Sequence, residues 1–169
     1  MMLLAIINGK VLDGAGHTWD KATVLAENGK IKAVGPDVAV PEGAQVIDAE
    51  GCWVTPGFVE PHTHISLMGE PQTRGGISDV NESIDPVTAQ IRAIDAFDPC
   101  NMSINWARRG GFTTCCVLPG SANVIGGEGF VFKTAPKATV DEMEVPGTRV
   151  MKFALGENPR ANYRDKNKI

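Results

Sequence analysis

The sequence predicts an α/β fold that begins with a small β domain. Short β-type runs separated by turns fill residues 3–54, helical patterns follow between residues 85 and 109, and two later runs are rich in apolar residues. The later runs, Phe112–Leu118 and Val150–Leu155, are typical of strands buried on both faces of a parallel sheet. We therefore expect a β domain at residues 1–55 and an α/β domain at residues 56–169.

The β domain is predicted to be a small antiparallel sheet or sandwich. Its strands are expected at residues 4–7, 22–26, 30–34, 45–47 and 52–54. Asn28-Gly29 is the strongest hairpin signal in the chain, because a type I′ turn requires positive φ at both central residues. The apolar start, Met1–Ile7, has no basic leader and is far shorter than a membrane span, so we interpret it as a buried strand.

Two helices are predicted in the second domain. Asp85-Pro86 is a helix-start signal, and three apolar residues follow at helical spacing, namely Val87, Ile91 and Ile94. The second helix is expected at about Asn101–Arg109, with Gly110-Gly111 ending it. Arg108-Arg109 suit the last turn of a helix better than a phosphate site.

Composition and charge exclude several classes of function. The 169 residues are 43% hydrophobic and 21% charged, and the net charge of −4 provides no basic surface for nucleic acid or anionic lipid. We therefore predict neither a nucleic-acid nor a membrane partner. Cysteine occurs four times without a C-x-x-C pair, which favours reduced core residues of a cytoplasmic protein: Cys52, Cys100, Cys115 and Cys116.

The strongest functional signal is a pair of histidines at the end of the apolar segment Val54–His64. His62 and His64 are two residues apart, so on an extended strand both side chains point to the same side. Imidazole suits zinc and neighbouring metals, and a catalytic site takes two or three such ligands. Ordinary strand-end histidines are the alternative. His17 lies in a glycine-rich turn and is interpreted as a surface residue.

With Pro56-Gly57 ahead of it, this segment resembles the first barrel strand of the amidohydrolase superfamily, whose pattern is Pro-Gly-(Phe/Leu)-(Val/Ile)-(Asp/Glu)-x-His-x-His. The resemblance extends over nearly the whole chain through five further segments: Ile6–Val11, Glu27–Ile31, Val46–Gly51, Val117–Asn123 and Lys152–Pro159. Within the superfamily, the sequence is most similar to an imidazolonepropionase-like subgroup. The fold implied is a (β/α)8 TIM-type barrel beside an N-terminal β-sandwich. A full barrel needs about 250 residues, so an incomplete barrel is expected here.

The resemblance also implies a function. It implies metal-dependent hydrolysis of a C–N bond in a cyclic amide or imidazolone-like substrate, with a divalent metal, zinc by preference, held by His62, His64 and Glu157. Alternatively, Glu157 is a rim carboxylate that hydrogen-bonds a loop. No catalytic residue is assigned, since the later histidines and the aspartate that the family requires are not found among these residues.

Two segments are candidates for contact with the substrate. The glycines of Pro119–Gly129 would let backbone amides approach a substrate amide or carboxylate, and Ser121 and Asn123 are the predicted substrate-binding residues there. Ser121 has no nearby base, which argues against a nucleophile. The polar stretch Ser66–Asp85 is either a wall of the active site or a flexible linker, and both readings stay open.

Two other functions remain as alternatives. One is a non-catalytic barrel scaffold, against which the intact histidine pair argues. The other is an inactive fragment that assembles with further chains. Because an open parallel sheet exposes backbone edges, we expect the chain to form a homo-oligomer or to pair with a complementary fragment.

Overall fold

The computed structural model describes residues 2–70 and 78–166, and the chain divides into two compact units, Met1–Pro56 and Gly57–Ile169. The division lies one residue after the boundary expected from the sequence. The first unit is a sheet of five strands: β1 (Leu3–Leu12), β2 (Thr18–Glu27), β3 (Lys30–Gly35), β4 (Gln45–Asp48) and β5 (Trp53–Val54).

The first unit is a mixed sheet rather than the antiparallel one that was predicted. β1, β2 and β3 form antiparallel neighbours, whereas β4 and β5 both run parallel to β1. The turn signals identified each strand but not its partner, because the return from β3 to β4 is a crossover rather than a hairpin. All five strands belong to one sheet, so the two-layered sandwich is not confirmed.

The hairpin between β2 and β3 has the predicted geometry. Asn28 has a φ of 50° and Gly29 a φ of 79°, so both central residues are left-handed, as a type I′ turn requires. The backbone N–H of Asn28 also donates to the carbonyl of Met2, at 2.9 Å. The turn prediction is therefore confirmed, and it fixes the register of β2 against β3.

The second unit contains a sheet of four strands and several short helices. Its elements are β6 (Phe58–Thr63), α1 (Ala93–Ala96), α2 (Met102–Arg109), β7 (Phe112–Val117), β8 (Ile125–Lys133), α3 (Val140–Met143), β9 (Val150–Phe153), α4 (Glu157–Tyr163) and a 3₁₀ turn (Arg164–Lys166). The strand order is β6-β7-β8-β9. Among the described residues, no helix is both long and apolar enough to span a membrane.

β8 is an antiparallel strand that the sequence did not reveal at full length. It pairs antiparallel with both β7 and β9, while β6 and β7 are parallel. β6, β7 and β9 therefore run in one direction, as predicted. The segment Pro119–Gly129, interpreted as a loop, is loop only as far as Val124, because β8 begins at Ile125.

The core of this unit lies between the sheet and the helices. Phe97 packs edge-on against two buried phenylalanines of β8, with ring centroids 5.3 Å from Phe130 and 4.8 Å from Phe132. Cys115 and Cys116 of β7 are buried, as predicted, whereas Cys52 and Cys100 are exposed and were wrongly assigned to a core. A core of close-packed rings holds β8 in place.

Helix α2 is confirmed, but the predicted helix after Asp85 is wrong. The Asn101 side chain caps α2 by accepting from the N–H of Ser103 at 3.0 Å, and Gly110 ends it. The segment from Asp85 instead forms two isolated parallel bridges to β8, at Val87 and at Arg92, with a turn between them, and the N–H of Thr88 donates to the Ile125 carbonyl at 2.9 Å. Only Ala93–Ala96 are helical. Hydrogen bonds to a distant strand have overridden the local helix signal.

β9 is not buried on both faces as predicted. Val150, Met151 and Phe153 are 41–55% exposed, whereas Lys152 is buried. Among the described residues β9 pairs with β8 alone, so it lies at the edge of the sheet. An apolar run thus identified the strand correctly but not its position.

Candidate functional site

The histidine pair lies at the carboxyl end of β6. His62 is the penultimate residue of the strand and His64 follows its last residue. The pairing of β6 with β7 shifts register between Glu60 and Thr63, so His62 lies within an irregular part of the strand. The two rings lie edge to face with centroids 5.4 Å apart, so the structure brings together the two side chains that the spacing predicted.

His64 is fixed by the backbone of the next strand's end. Its Nδ1 lies 2.8 Å from the carbonyl oxygen of Leu118, and the Leu118 N–H donates to the Thr63 carbonyl at 2.9 Å. Because a carbonyl can only accept, Nδ1 is the donor, and in the neutral imidazole Nε2 therefore keeps its lone pair. This is the arrangement in which an imidazole is oriented to bind a metal through Nε2.

Lys152 is a member of the site that the sequence analysis missed. Its Nζ lies 3.1 Å from Nε2 of His62, although the residue as a whole is only 7% exposed. The absence of a side chain at Gly126 makes room for it, since a Cβ there would lie 3.3 Å from Lys152 Cγ. A lysine inside an apolar strand run was the available signal, because lysine is almost never buried without a specific partner.

The surroundings of His62 favour its neutral form. Burial is the largest cause that lowers the pKa of His62; electrostatic repulsion from Lys152, and from His64 in its protonated form, adds to it, and Glu60 opposes the shift. Burial also lowers the pKa of Lys152. A neutral imidazole is the form that binds a metal, although a metal at Nε2 would have to replace the contact with Lys152.

The donor set fits part of a metal site. Two imidazoles and a buried amine lie together, and imidazole nitrogen suits zinc and neighbouring divalent metals. Across residues 2–70 and 78–166, however, no three His, Cys, Asp or Glu side chains gather closely enough to hold a metal ion. The described residues therefore supply a pair of histidine ligands rather than a complete set.

Glu157 does not join this pair. It is the first residue of α4, it is exposed, and it lines a separate cavity with Arg160, Ala161 and Arg164. Since β9 ends at Phe153, the chain has already turned into α4 where Glu157 stands. The predicted cluster of His62, His64 and Glu157 is thus not assembled in the structure.

Of the two predicted substrate residues, Asn123 is committed to the interior. It is 1% exposed, and its Nδ2 lies 2.7 Å from the Asp85 carbonyl oxygen, 3.0 Å from Thr88 Oγ1 and 3.1 Å from Tyr163 Oη. These contacts join the loop after β7 to α4. In this structure Asn123 therefore ties elements together, and its role in substrate binding stays a prediction.

Ser121 is half-buried and faces an open groove. The groove has a volume of about 510 Å³ and is lined by Asn81, Ser83, Ser121, Ala122, Asn158, Ala161 and Asn162. Asn81 and Ser83 come from the stretch Ser66–Asp85, whose residues 71–77 lie outside the described part of the chain. A substrate wall formed by this stretch stays a prediction.

His17 has the surface position that was predicted. It lies in an exposed turn of the first unit, where its Nδ1 is 2.6 Å from Oδ2 of Asp13 and its ring stacks on Trp19. The hydrogen bond from His17 is the main reason that the pKa of Asp13 falls to about 2. Among the described residues no third His, Cys, Asp or Glu side chain joins His17 and Asp13, and the contact stabilises the turn.

Comparisons with known proteins give one consistent family. A family model described as "Amidohydrolase family" matches residues 45–146. The chain is 38% identical over 160 residues to amidohydrolase tasK of Hapsidospora irregularis. The aligned region covers 87% of this chain and 16% of that protein. It is 33% identical to a dihydroorotase of Anaeromyxobacter dehalogenans, over 72% of this chain and 23% of that protein.

A solved structure agrees over nearly the whole chain. The crystal structure of an amidohydrolase from Thermotoga maritima superposes with a TM-score of 0.88 and 36% identity, covering 98% of this chain and 42% of that one. The chain thus spans less than half the length of each of these relatives. The superfamily predicted from the motifs is confirmed, whereas the imidazolonepropionase-like subgroup stays a prediction.

Proposed function

The chain belongs to the amidohydrolase family, and from that premise we propose that it contributes His62 and His64 to the metal site of a hydrolase that cleaves a C–N bond other than a peptide bond. The observation that carries the proposal is the paired imidazoles at the carboxyl end of β6. Active sites of (β/α)8 barrels lie at this end of their strands. We infer zinc as the metal, on the basis of the imidazole ligands.

Each residue of the site has a proposed task. His64, oriented by the Leu118 carbonyl, and His62, kept neutral by its surroundings, would hold the metal through Nε2. When bound, the metal supplies Lewis acidity to the substrate carbonyl and to water. Lys152 would lie beside the metal at His62, with a buried amine able to hydrogen-bond the reacting groups.

The substrate class that we propose is a cyclic amide. The name of the dihydroorotase relative refers to dihydroorotate, whose ring contains amide bonds, and this supports a cyclic substrate for the present chain. An imidazolone-like ring is the narrower form of the proposal. A cytoplasmic location, and pairing with further copies or a complementary fragment, stay predictions.

Metal analysis of the purified chain tests the proposal. We expect zinc to bind to the wild type and to be lost in His62→Ala and in His64→Ala, because each variant removes one of two ligands. His17→Ala is the matched control, since it removes an exposed histidine of the first unit and leaves the pair intact. Equal metal content in all four proteins would overturn the proposed site.

The activity needs a separate experiment. Since the described residues hold only two histidine ligands, we expect no metal-dependent hydrolysis of a cyclic amide by this chain alone above background. A longer polypeptide that continues with the remaining segments of its relatives is expected to hydrolyse such a substrate and to lose the activity in His64→Ala. Turnover that survives His64→Ala would contradict the assignment.

A further inference from the structure

We infer that the groove beside Ser121 is the subsite for the uncharged amide edge of a cyclic substrate, and that Asn158 is the residue that recognises this edge. The inference rests on the proposed function, because it concerns the same substrate. It adds the part of the molecule that is recognised and the residue that determines the specificity.

The lining of the groove favours an uncharged, hydrogen-bonding group. The described residues that line it are three asparagines, two serines and two alanines, so charged side chains are not among them. Its volume of about 510 Å³ lies within the range of small-molecule sites. A charged group placed there would lose water without gaining a counter-charge, whereas an amide would exchange its hydrogen bonds with water for equivalent ones.

Asn158 is the asparagine whose side chain is available. Within residues 2–70 and 78–166 its amide has no hydrogen-bond partner, and it is exposed to the groove. The other two asparagines hold the wall: Asn81 Oδ1 accepts from the Ala122 N–H at 3.2 Å, and Asn162 Nδ2 lies 3.5 Å from the Ala122 carbonyl oxygen.

The chemistry of a carboxamide matches the edge of a cyclic amide. In such a ring the N–H and the C=O lie on the same side, because the ring holds the amide in the cis form. The Asn158 side chain offers one acceptor and two donors, so it can accept from that N–H and donate to that carbonyl at the same time. A substituent on the ring nitrogen would remove one of these two bonds.

The groove lies near the histidine pair. The loop that carries Ser121 begins at Leu118, whose carbonyl holds His64, and three residues of chain span at most about 11 Å. Asn158 lies on α4 after β9, which runs parallel to β6 and β7, so both walls of the groove follow carboxyl ends of strands at one edge of the sheet. A ring held at Asn158 is therefore close to the histidines.

A binding titration with matched probes tests the inference. The ¹⁵N-labelled full chain is titrated with 2-piperidone and, separately, with N-methyl-2-piperidone, which lacks the N–H, while the signals of the Ser121 backbone and the Asn158 side chain are followed. We expect a dissociation constant about fivefold lower for 2-piperidone, which is the effect of one net hydrogen bond. Asn158→Ala is expected to raise the value for 2-piperidone by at least that factor.

The controls separate recognition from folding and from the metal site. Asn158→Asp keeps the size of the side chain but loses its donors, and it should also weaken binding, whereas Asn105→Ala on the exposed face of α2 should not. The titration is carried out without added metal, so that its result does not depend on the metal site. Unchanged metal content in the His62→Ala and His64→Ala variants would count against the proposed function, whereas equal affinity for both probes, or an unchanged affinity in Asn158→Ala, would overturn the inference.

Discussion

Histidine meets a titratable partner in two regions of this molecule, and the two contacts are built differently. In the first unit, His17 contacts Asp13, four residues away in one exposed turn. In the second unit, His62 contacts Lys152, ninety residues away, with strands β7 and β8 between them in the sheet. The first contact needs one turn of chain, whereas the second needs the whole sheet.

The two contacts differ in their effect on the pKa values of the groups involved. Asp13 and His17 can carry opposite charges, and the pKa of Asp13 falls to about 2, mainly because of their hydrogen bond. His62 and Lys152 would both be positive, and the pKa of each is lowered. The exposed contact thus favours the charged form of Asp13 and stabilises a turn, while the surroundings of His62 favour the neutral imidazole that can bind a metal.

The largest expected effect is on the stability of the four-stranded sheet that brings Lys152 to His62. Gly127 has a φ of 107°, and a Cβ there would lie 2.6 Å from the backbone oxygen of Ile91. We expect Gly127→Ala to lower the free energy of unfolding of the second unit by about 3 kcal/mol, and to separate Lys152 from His62. Chemical denaturation measures the first effect, and the His62 ring signals report the second.

Gly16→Ala is the matched control for that experiment. Gly16 has a φ of 106° but nothing within 4 Å of its Cβ position, so the substitution carries the backbone strain without the clash. We expect Gly16→Ala to lower the free energy of unfolding by about 1 kcal/mol. Equal decreases in the free energy of unfolding for Gly127→Ala and Gly16→Ala would show that the clash with Ile91 has no effect. The sheet would then be no more sensitive to the substitution than the exposed turn.

Thiol reactivity should differ by about two orders of magnitude between the exposed cysteines and the buried cysteines of β7. Burial, with smaller effects of Glu60 and Cys116, raises the pKa of Cys115 from 9.0 to about 11, so its thiolate fraction near pH 8 is about 100-fold below that of an ordinary thiol. We expect Cys52 and Cys100 to react with iodoacetamide in the native protein and the two buried cysteines only after unfolding. Mass spectrometry of the labelled chain would contradict this if Cys115 were modified first.

A smaller effect is expected when Lys152 is replaced. Lys152→Met removes the second-largest cause of the lowered pKa of His62 and leaves burial, the largest, in place, so that pKa should rise part of the way to its ordinary value. An NMR titration of the His62 ring measures the change. Lys152→Arg keeps the charge and should leave the pKa low, and a rise of equal size in both variants would contradict the role of the charge.

The smallest effect is expected in the exposed turn. The pKa of Asp13 lies below its ordinary value of 3.8, so its contribution to stability is present above that pH and is lost as the pH falls through about 2. Asp13→Asn should remove this part of the acid dependence of thermal unfolding, with a small amplitude because the pair is exposed. Metal binding should not change, and a change would show that the two regions are coupled.

Features with local causes could be predicted from the sequence. The turn at Asn28-Gly29 and the end of α2 at Gly110 each depend on a few adjacent residues, and each was found where expected. The spacing of His62 and His64 belongs to the same class, because two alternate residues of a strand share a side whatever the strand pairs with.

Features that depend on distant partners could not be predicted from the sequence. The segment after Asp85 has a helix start and an apolar stripe, yet its backbone bonds to Ile125, which no local pattern shows. Asn123 was assigned to the substrate because its loop is rich in glycine, and its hydrogen bonds to Thr88 and Tyr163 could not be predicted from that loop. Lys152 reaches the site through a register that only the folded sheet defines.

The distance along the chain between His62 and Lys152 also has a consequence for synthesis. The two residues are ninety positions apart, and ribosomes add about 5–20 residues per second, so the histidine precedes its lysine by roughly 5–18 s. During that interval the nascent chain presents His62 and His64 to the cell before the sheet that will hold them exists. A metal captured then would bind to an unfolded segment, and the folding sheet would have to form around it.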